Sequence, residues 1–168
     1  DTAVSPADFD FIRGRVEDHA GIVLGPDKVY LVEARLRPLL PRCGFPSIAR
    51  LAQELRLPPH GELLDLVVEA MTTNETSFFR DIHPFDALRT KLLPALLPAR
   101  LAERKLRIWS NACSSGQEAY SLAMLLAEHF PQLRDWDVSI LATDLSREMV
   151  QRTGEGIFGQ LEMNRGLP

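Results

Sequence analysis

Cysteine is scarce in this chain: Cys43 and Cys113 are the only two in 168 residues, with no CxxC pair and no Cys or His at metal-ligand spacing. That excludes a disulfide framework and a zinc module, and points to a reduced, cytoplasmic setting. His19, His60, His83 and His129 stand without partners at ligand spacing, so no metal is expected. No apolar run approaches the roughly 20 residues that span a bilayer, so no membrane insertion is expected. No apolar stretch follows Asp1 that would read as a signal peptide. An opening Asp in place of an initiator Met reads as a processed chain or one cut from a longer protein. Repeats, low-complexity segments and a GxGxxG phosphate loop are all lacking. Neither sign of charge dominates, with 19 basic and 23 acidic residues for a net −4. That balance, with aromatics at only 7%, gives no nucleic-acid footprint.

What is present is enough apolar material for a core, 45% of residues. Ser5-Pro6-Ala7-Asp8 reads as a capped helix start, with Phe9, Ile12, Val16 and Ala20 at helical spacing and Gly21 as its stop. A second helix is predicted over about Asp27 to Leu36, with Leu31 and Leu36 inward and Pro38 and Pro41 disturbing its end. Ser47 caps a third carrying Ile48, Leu51 and Leu55, and a fourth runs from Glu62 to about Met71. Residues 1–71 are therefore expected to form a helical bundle. Between Ala34 and His60 the bases Arg35, Arg37, Arg42, Arg50 and Arg56 face the single acid Glu54. This strip is either a solvated helix face or a docking surface for an acidic partner.

Residues 72–105 read as a linker. Thr72-Thr73-Asn74-Glu75-Thr76-Ser77 is a polar run suited to caps and loops, Phe78-Phe79 anchor it, and a helix covers Pro84 to Leu97. From residue 106 the period changes. Leu106 to Trp109 reads as a strand, Gln117 to Phe130 as a helix with Ala119, Leu122, Ala123 and Leu126 on one face, and Val138 to Thr143 as a second strand buried on both faces. Ser146 caps a further helix. The order β-α-β-α predicts parallel strands and places residues 106–168 in the first half of a Rossmann-like α/β domain.

The small, polar loop Asn111 to Gly116 between strand and helix can cradle a ligand at the helix N-terminus, and Asp144 stands just after the next strand, where an acid accepts ribose hydroxyls. An ordinary βα turn with Asp144 capping the next helix fits the same residues. Likewise Asn74 and Thr76 can be helix caps, Arg80 can pair with Asp81 or Glu75, Glu118 can be a first-turn acid, and Phe78 and Phe79 can be core.

Longer strings decide between these readings. Thr72-Thr73-Asn74-Glu75-Thr76-Ser77-Phe78-Phe79-Arg80-Asp81 resembles the TTNxTxFFR signature of the CheR family, chemoreceptor glutamate O-methyltransferases that use S-adenosyl-L-methionine. Trp109-Ser110-Asn111-Ala112-Cys113-Ser114-Ser115-Gly116-Gln117-Glu118-Ala119-Tyr120-Ser121 is similar to the family's WSAACSSGEEPYS loop, with Ala119 where the family has Pro. Leu141 to Ser146 is similar to its ATDIS segment, and Arg165-Gly166-Leu167-Pro168 fits a further short string.

The resemblance implies a helical N-terminal domain followed by the front of an S-adenosylmethionine-dependent methyltransferase domain. It implies that Asn74, Thr76 and Arg80 line the cofactor site, that Ala112 lets the backbone approach it, that Glu118 meets the methionine or adenosine part and that Asp144 binds the ribose hydroxyls. Arg80 is the residue expected at the reaction itself, holding a carboxylate of cofactor or substrate. Arg35, Arg37 and Arg42 are implied in docking the cytoplasmic helices of methyl-accepting chemotaxis receptors. The product left after transfer is S-adenosyl-L-homocysteine. A receptor glutamate is already ionised at neutral pH, so no general base is needed and none is seen. Only two strands follow the linker, where sheets commonly have about 5–6. The expectation is an incomplete enzyme with little activity alone, stabilised by dimerisation or strand exchange. The competing expectation is a non-catalytic regulatory or docking module that keeps the family's front half.

Overall fold

The computed structural model describes residues 4–59 and 61–167, so the histidine expectation at His60 lies outside the described residues. By its contacts the chain divides into two units, one running through Thr73 and the other starting at Asn74.

The first unit is all helical. Helix α1 (Pro6–Ala20) begins where the Ser5 side chain accepts from the Asp8 N–H, and ends where Gly21 turns left-handed at φ 67° and donates to the Glu17 carbonyl. Helix α2 covers Val29–Leu36, after a single 3₁₀ turn at Pro26–Lys28. Its fully buried positions are Val32 and Leu36, and Leu31 is only half-buried. Leu36 lies inward as expected, Leu31 packs against the edge of the same cluster, and Val32 is the further buried position. Pro38 opens a short helix α3 (Leu39–Cys43), closed by Gly44 at φ 73°. Helix α4 (Ile48–Leu55) is capped by Ser47, whose side chain accepts from the Arg50 N–H, and α5 covers Gly61–Met71. Ile12, Val16, Val32, Leu36, Ile48, Leu51 and Val67 are fully buried in one apolar cluster.

The second unit starts with the extended polar run and then a long helical stretch. That stretch is α6 (His83–Ala87), a wider π-helical turn (Leu88–Leu92) and α7 (Leu93–Ala99). The π turn stands just before Pro94, which has no N–H for the carbonyl four residues back and whose ring crowds that carbonyl. Strand β1 (Lys105–Asn111), helix α8 (Gln117–His129) and strand β2 (Asp137–Thr143) form a β-α-β unit, and α9 (Arg147–Glu155) and the short α10 (Gln160–Met163) follow. The strands are parallel, with Leu106 beside Val138, Ile108 beside Ile140 and Trp109 beside Leu141.

One face of this sheet is covered. Leu106, Ile108, Val138 and Ile140 join Phe85, Leu93, Leu97, Leu122, Leu125 and Leu126 in the second apolar cluster. Leu125 is buried there, and Ala123, predicted on the inward face of α8, is exposed. The other face is bare: Trp109 is 64% and Leu141 61% exposed. The expectation that β2 is buried on both faces is therefore corrected. Side chains alternate between faces, and among the described residues helices cover only one of them.

The helical unit rests on its sealed cluster. Leu51→Ala is expected to cost about 2–5 kcal/mol of stability by removing a fully buried side chain. Chemical denaturation followed by circular dichroism checks this.

Candidate cofactor site

The loop leaving β1 is built from alternating left-handed residues: Ala112 at φ 57°, Ser114 at φ 50° and Gly116 at φ 96°. For Ala and Ser this conformation costs on the order of 1–3 kcal/mol each, and it persists only where surrounding contacts impose it. Those contacts are specific. The Cys113 N–H donates to the Thr143 carbonyl at 2.9 Å, tying the loop to the end of β2. The Ser114 N–H donates to Asp144 Oδ2 at 2.8 Å, and Ser114 Oγ donates to the Asn74 carbonyl at 2.7 Å. The Ser114 carbonyl accepts from Thr153 Oγ1 of α9 at 3.0 Å. At Gly116 a Cβ would lie 2.9 Å from the Thr153 side chain and 3.2 Å from its backbone, so only glycine fits.

Ser114 thus joins the polar run, the loop and the acid after β2. The other Asp144 oxygen, Oδ1, accepts from the Ser146 N–H at 2.9 Å. Each carboxylate oxygen is held by one backbone N–H, and each keeps a further acceptor position. Glu118, in the first turn of α8, is steered by Ser110: Ser110 Oγ donates to its Oε1 at 2.7 Å. Ser110 is 1% exposed, at the inward end of β1.

The polar run is held at its Phe78–Phe79 end. The Phe79 N–H donates to Ser121 Oγ of α8 at 2.9 Å, and the Phe78 ring meets Phe158 edge-on at 4.9 Å. At Gly166, φ 108°, a Cβ would fall 1.9 Å from the Phe78 carbonyl oxygen, so the segment after α10 lies directly against the run. Arg80 donates to the Glu75 carbonyl at 2.7 Å and packs its guanidinium along its own segment. Glu75 pairs with Arg165 at 2.8 Å.

The predicted residues therefore fall into two groups joined by Asn74. Asn74, Ala112 and Asp144 surround Ser114, with Glu118 fixed from the end of the same strand. Asn74 and Thr76 line a cavity of about 360 Å³ together with Gln117, Arg152, Glu162 and Arg165. Ala112, Glu118, Asp144 and Arg80 do not line that cavity. Reading the sequence missed Ser110 and Ser114 as organisers. A hydroxyl on the otherwise apolar inward face of β1 was the available signal for Ser110, and Ser114 had none outside its string.

In the helical unit, Arg35 Nη1 donates to the Met71 and Thr72 carbonyls at 2.5 and 2.7 Å, and Nη2 donates to Thr73 Oγ1 at 3.2 Å. Its guanidinium is engaged by the free carbonyls that end α5. Arg37 lies 3.6 Å from Glu33, one helical turn back, and Arg42 is exposed. Both cysteines are free thiols. Among the described residues no group of His, Cys, Asp or Glu is arranged to hold a metal ion, and no helix is long and apolar enough to cross a membrane.

The donor set fits an adenosylmethionine. Asp144 offers one open acceptor position per oxygen for two neighbouring hydroxyls, Glu118 an anchored carboxylate for an ammonium, and the strained loop a small-residue backbone for close approach. Parallel strands with such a loop after the first and such an acid after the second form the front of a Rossmann-like α/β domain. Residues 74–168 match the CheR methyltransferase SAM-binding domain, and residues 7–72 match the CheR methyltransferase all-alpha domain. The chain belongs to the CheR methyltransferase family. It is 46% identical over 165 residues to chemotaxis protein methyltransferase 1 of Pseudomonas aeruginosa, covering 96% of this chain and 59% of that protein. It is 42% identical over 164 residues to a chemotaxis protein methyltransferase of Pseudomonas putida, covering 95% and 59%. A Vibrio cholerae chemotaxis protein methyltransferase is 43% identical over 161 residues, covering 94% and 57%. The chain thus spans less than two thirds of the length of these relatives.

Ser114→Ala leaves the Asn74 carbonyl without its donor and is expected to cost about 1–3 kcal/mol, read by thermal or chemical unfolding. The Arg165 hydrogen bond, with the charges of Arg165 and Arg80, holds the Glu75 carboxyl below its ordinary 4.5. A depressed carboxylate stabilises the fold above its unfolded value, and that contribution is lost as pH falls through the folded value. For so exposed a pair the effect on stability is small. Arg165→Met is expected to move the Glu75 midpoint up toward 4.5 in a side-chain NMR titration; an unmoved midpoint would remove Arg165 as the cause.

Proposed function

We propose that this chain is the cofactor-gripping front part of an S-adenosylmethionine-dependent methyltransferase that esterifies glutamate side chains of chemotaxis receptors. The observation that carries this reading is Asp144: its two oxygens are aimed by the Ser114 and Ser146 N–H groups and retain acceptor capacity for the ribose. Asn74, Thr76, Ala112 and Glu118 complete the cofactor set, and Arg80, beside them in the chain, supplies a cation for a carboxylate.

The chemistry asks little of the side chains. A glutamate carboxylate is ionised at neutral pH, so no base has to remove a proton. An O–CH₃ bond forms as the S–CH₃ bond breaks, and the electron pair of the broken bond stays on sulfur. The protein's part is to hold carboxylate and methyl carbon in line, about 3–3.5 Å apart, and to keep water out. The methyl-bearing sulfonium, when bound, supplies the leaving group.

Receptor cytoplasmic helices as substrate, and a cytoplasmic location, are parts of the proposal supported by relatives named for chemotaxis. Arg37 and Arg42 have the exposure to dock an acidic helix. Arg35 fits the role less directly, since its guanidinium is already engaged. The bare Trp109–Leu141 face favours a second reading, a regulatory or docking module that binds a partner through this face.

Calorimetric titration with S-adenosylhomocysteine separates the two. The methyltransferase reading expects binding that weakens at least about tenfold in Asp144→Ala, the scale of losing two hydrogen bonds to a charged group. No binding by the unaltered chain would favour the docking module.

A further inference from the structure

The cavity beside the 74–76 segment carries donors that the cofactor roles leave unused. Gln117 opens α8 with its side chain 3% exposed. Its Oε1 accepts from Ser115 Oγ at 2.8 Å, which orients the amide, and among the described residues Nε2 has no partner. Asn74 and Thr76, already assigned to the cofactor, line the same cavity. Two arginines border the space. Arg152 is committed: it pairs at 3.0 Å with Glu162, whose other oxygen accepts from the Gly159 N–H at 2.8 Å. Arg165 is not. Only its Nη2 is used, on Glu75, and both partners are more than half exposed, at 65% and 59%.

An ion pair so exposed contributes little, so Arg165 exchanges partners cheaply. An open guanidinium lining the same cavity as an oriented amide N–H suits a planar anion that accepts two parallel bonds and a third from the side. We propose that this cavity is a carboxylate-binding site in which Arg165 takes both oxygens and Gln117 Nε2 donates to one of them. The methyltransferase reading enters only in choosing the ligand, a glutamate carried on a protein. The cavity mouth favours that source, because Leu161 stands there 86% exposed, an apolar side chain placed to meet a protein surface. The amino-acid end of the cofactor carries the same chemistry and is the other source.

The test is calorimetry on this chain with three probes: a helical peptide bearing one glutamate, the same peptide with glutamine there, and S-adenosylhomocysteine. The glutamate peptide is expected to bind at least about tenfold more tightly than the glutamine peptide, the difference of one charged hydrogen-bonded pair. Arg165→Met is expected to erase that difference, and Gln117→Leu to reduce it. Glu75→Gln removes the carboxylate that competes for Arg165 and is expected to tighten glutamate-peptide binding. Opposite effects from the two partners of one ion pair are not what a merely structural pair gives, since breaking it from either side would then act alike. If Arg165→Met weakens S-adenosylhomocysteine and spares the peptide, the site stands and the protein source is overturned. If Arg165→Met and Glu75→Gln leave all probes unchanged, or shift them in the same direction, the site itself is overturned. Failure of the methyltransferase reading shows separately, as absence of S-adenosylhomocysteine binding by the unaltered chain.

Discussion

The hydrogen bonds of Ser114 are the constraint on which the second unit's geometry turns. One residue, itself held left-handed, donates its N–H to the acid after β2, donates its hydroxyl to the carbonyl of Asn74 and accepts from Thr153. The polar run, the loop after β1 and helix α9 have no reason to meet at this point from local preference alone. Their meeting offsets the backbone strain at Ala112 and Ser114, in keeping with the tendency of strained residues to gather where a site must be pre-formed. Asp144 is shared in the same way: the carboxylate that serves the loop also receives the N–H of the residue capping α9.

The arrangement suits chemistry in which positioning matters more than proton transfer. The acids singled out, Asp144 and Glu118, are anchored by neutral donors, a pair of backbone N–H groups and a serine hydroxyl. The arginines are engaged by carbonyls or by exposed carboxylates: Arg35 by the end of α5, Arg80 by Glu75, Arg165 by the Glu75 side chain. Buried charge pairs would be costly to separate on binding, whereas exposed pairs and carbonyl contacts are cheap to rearrange. Where an anion is to be received, that is the useful state for a cation.

The two units also differ in how completely they bury themselves. The helical unit closes around Ile12, Val16, Leu36, Ile48 and Leu51. The α/β unit packs one side of a two-stranded sheet against α6, α7 and α8, leaving Trp109 and Leu141 side by side in solvent on the other. A pair of strands presents two faces whatever covers them, because successive side chains point in opposite directions.

Local chemistry made much of this legible in the amino-acid order. Ser5, Ser47 and Ser146 cap helices because a short hydroxyl side chain can accept an orphan N–H, and Gly21 stops α1 because it alone turns left-handed freely. The alternation of strand and helix dictated parallel pairing, and the strings around Asn74, Ala112 and Asp144 carried the family. Other features were decided only by the folded chain. Val32 joined Leu36 as a fully buried position of α2, one face of β2 is left uncovered among the described residues, and α5's free carbonyls captured Arg35. Ser114's three bonds and the Gly166 approach to Phe78 join residues far apart in the chain. Caps and periodicity act over four residues and can be read in order. Which donors meet across thirty or more residues depends on how the helices and strands pack, and that is a property of the tertiary structure alone.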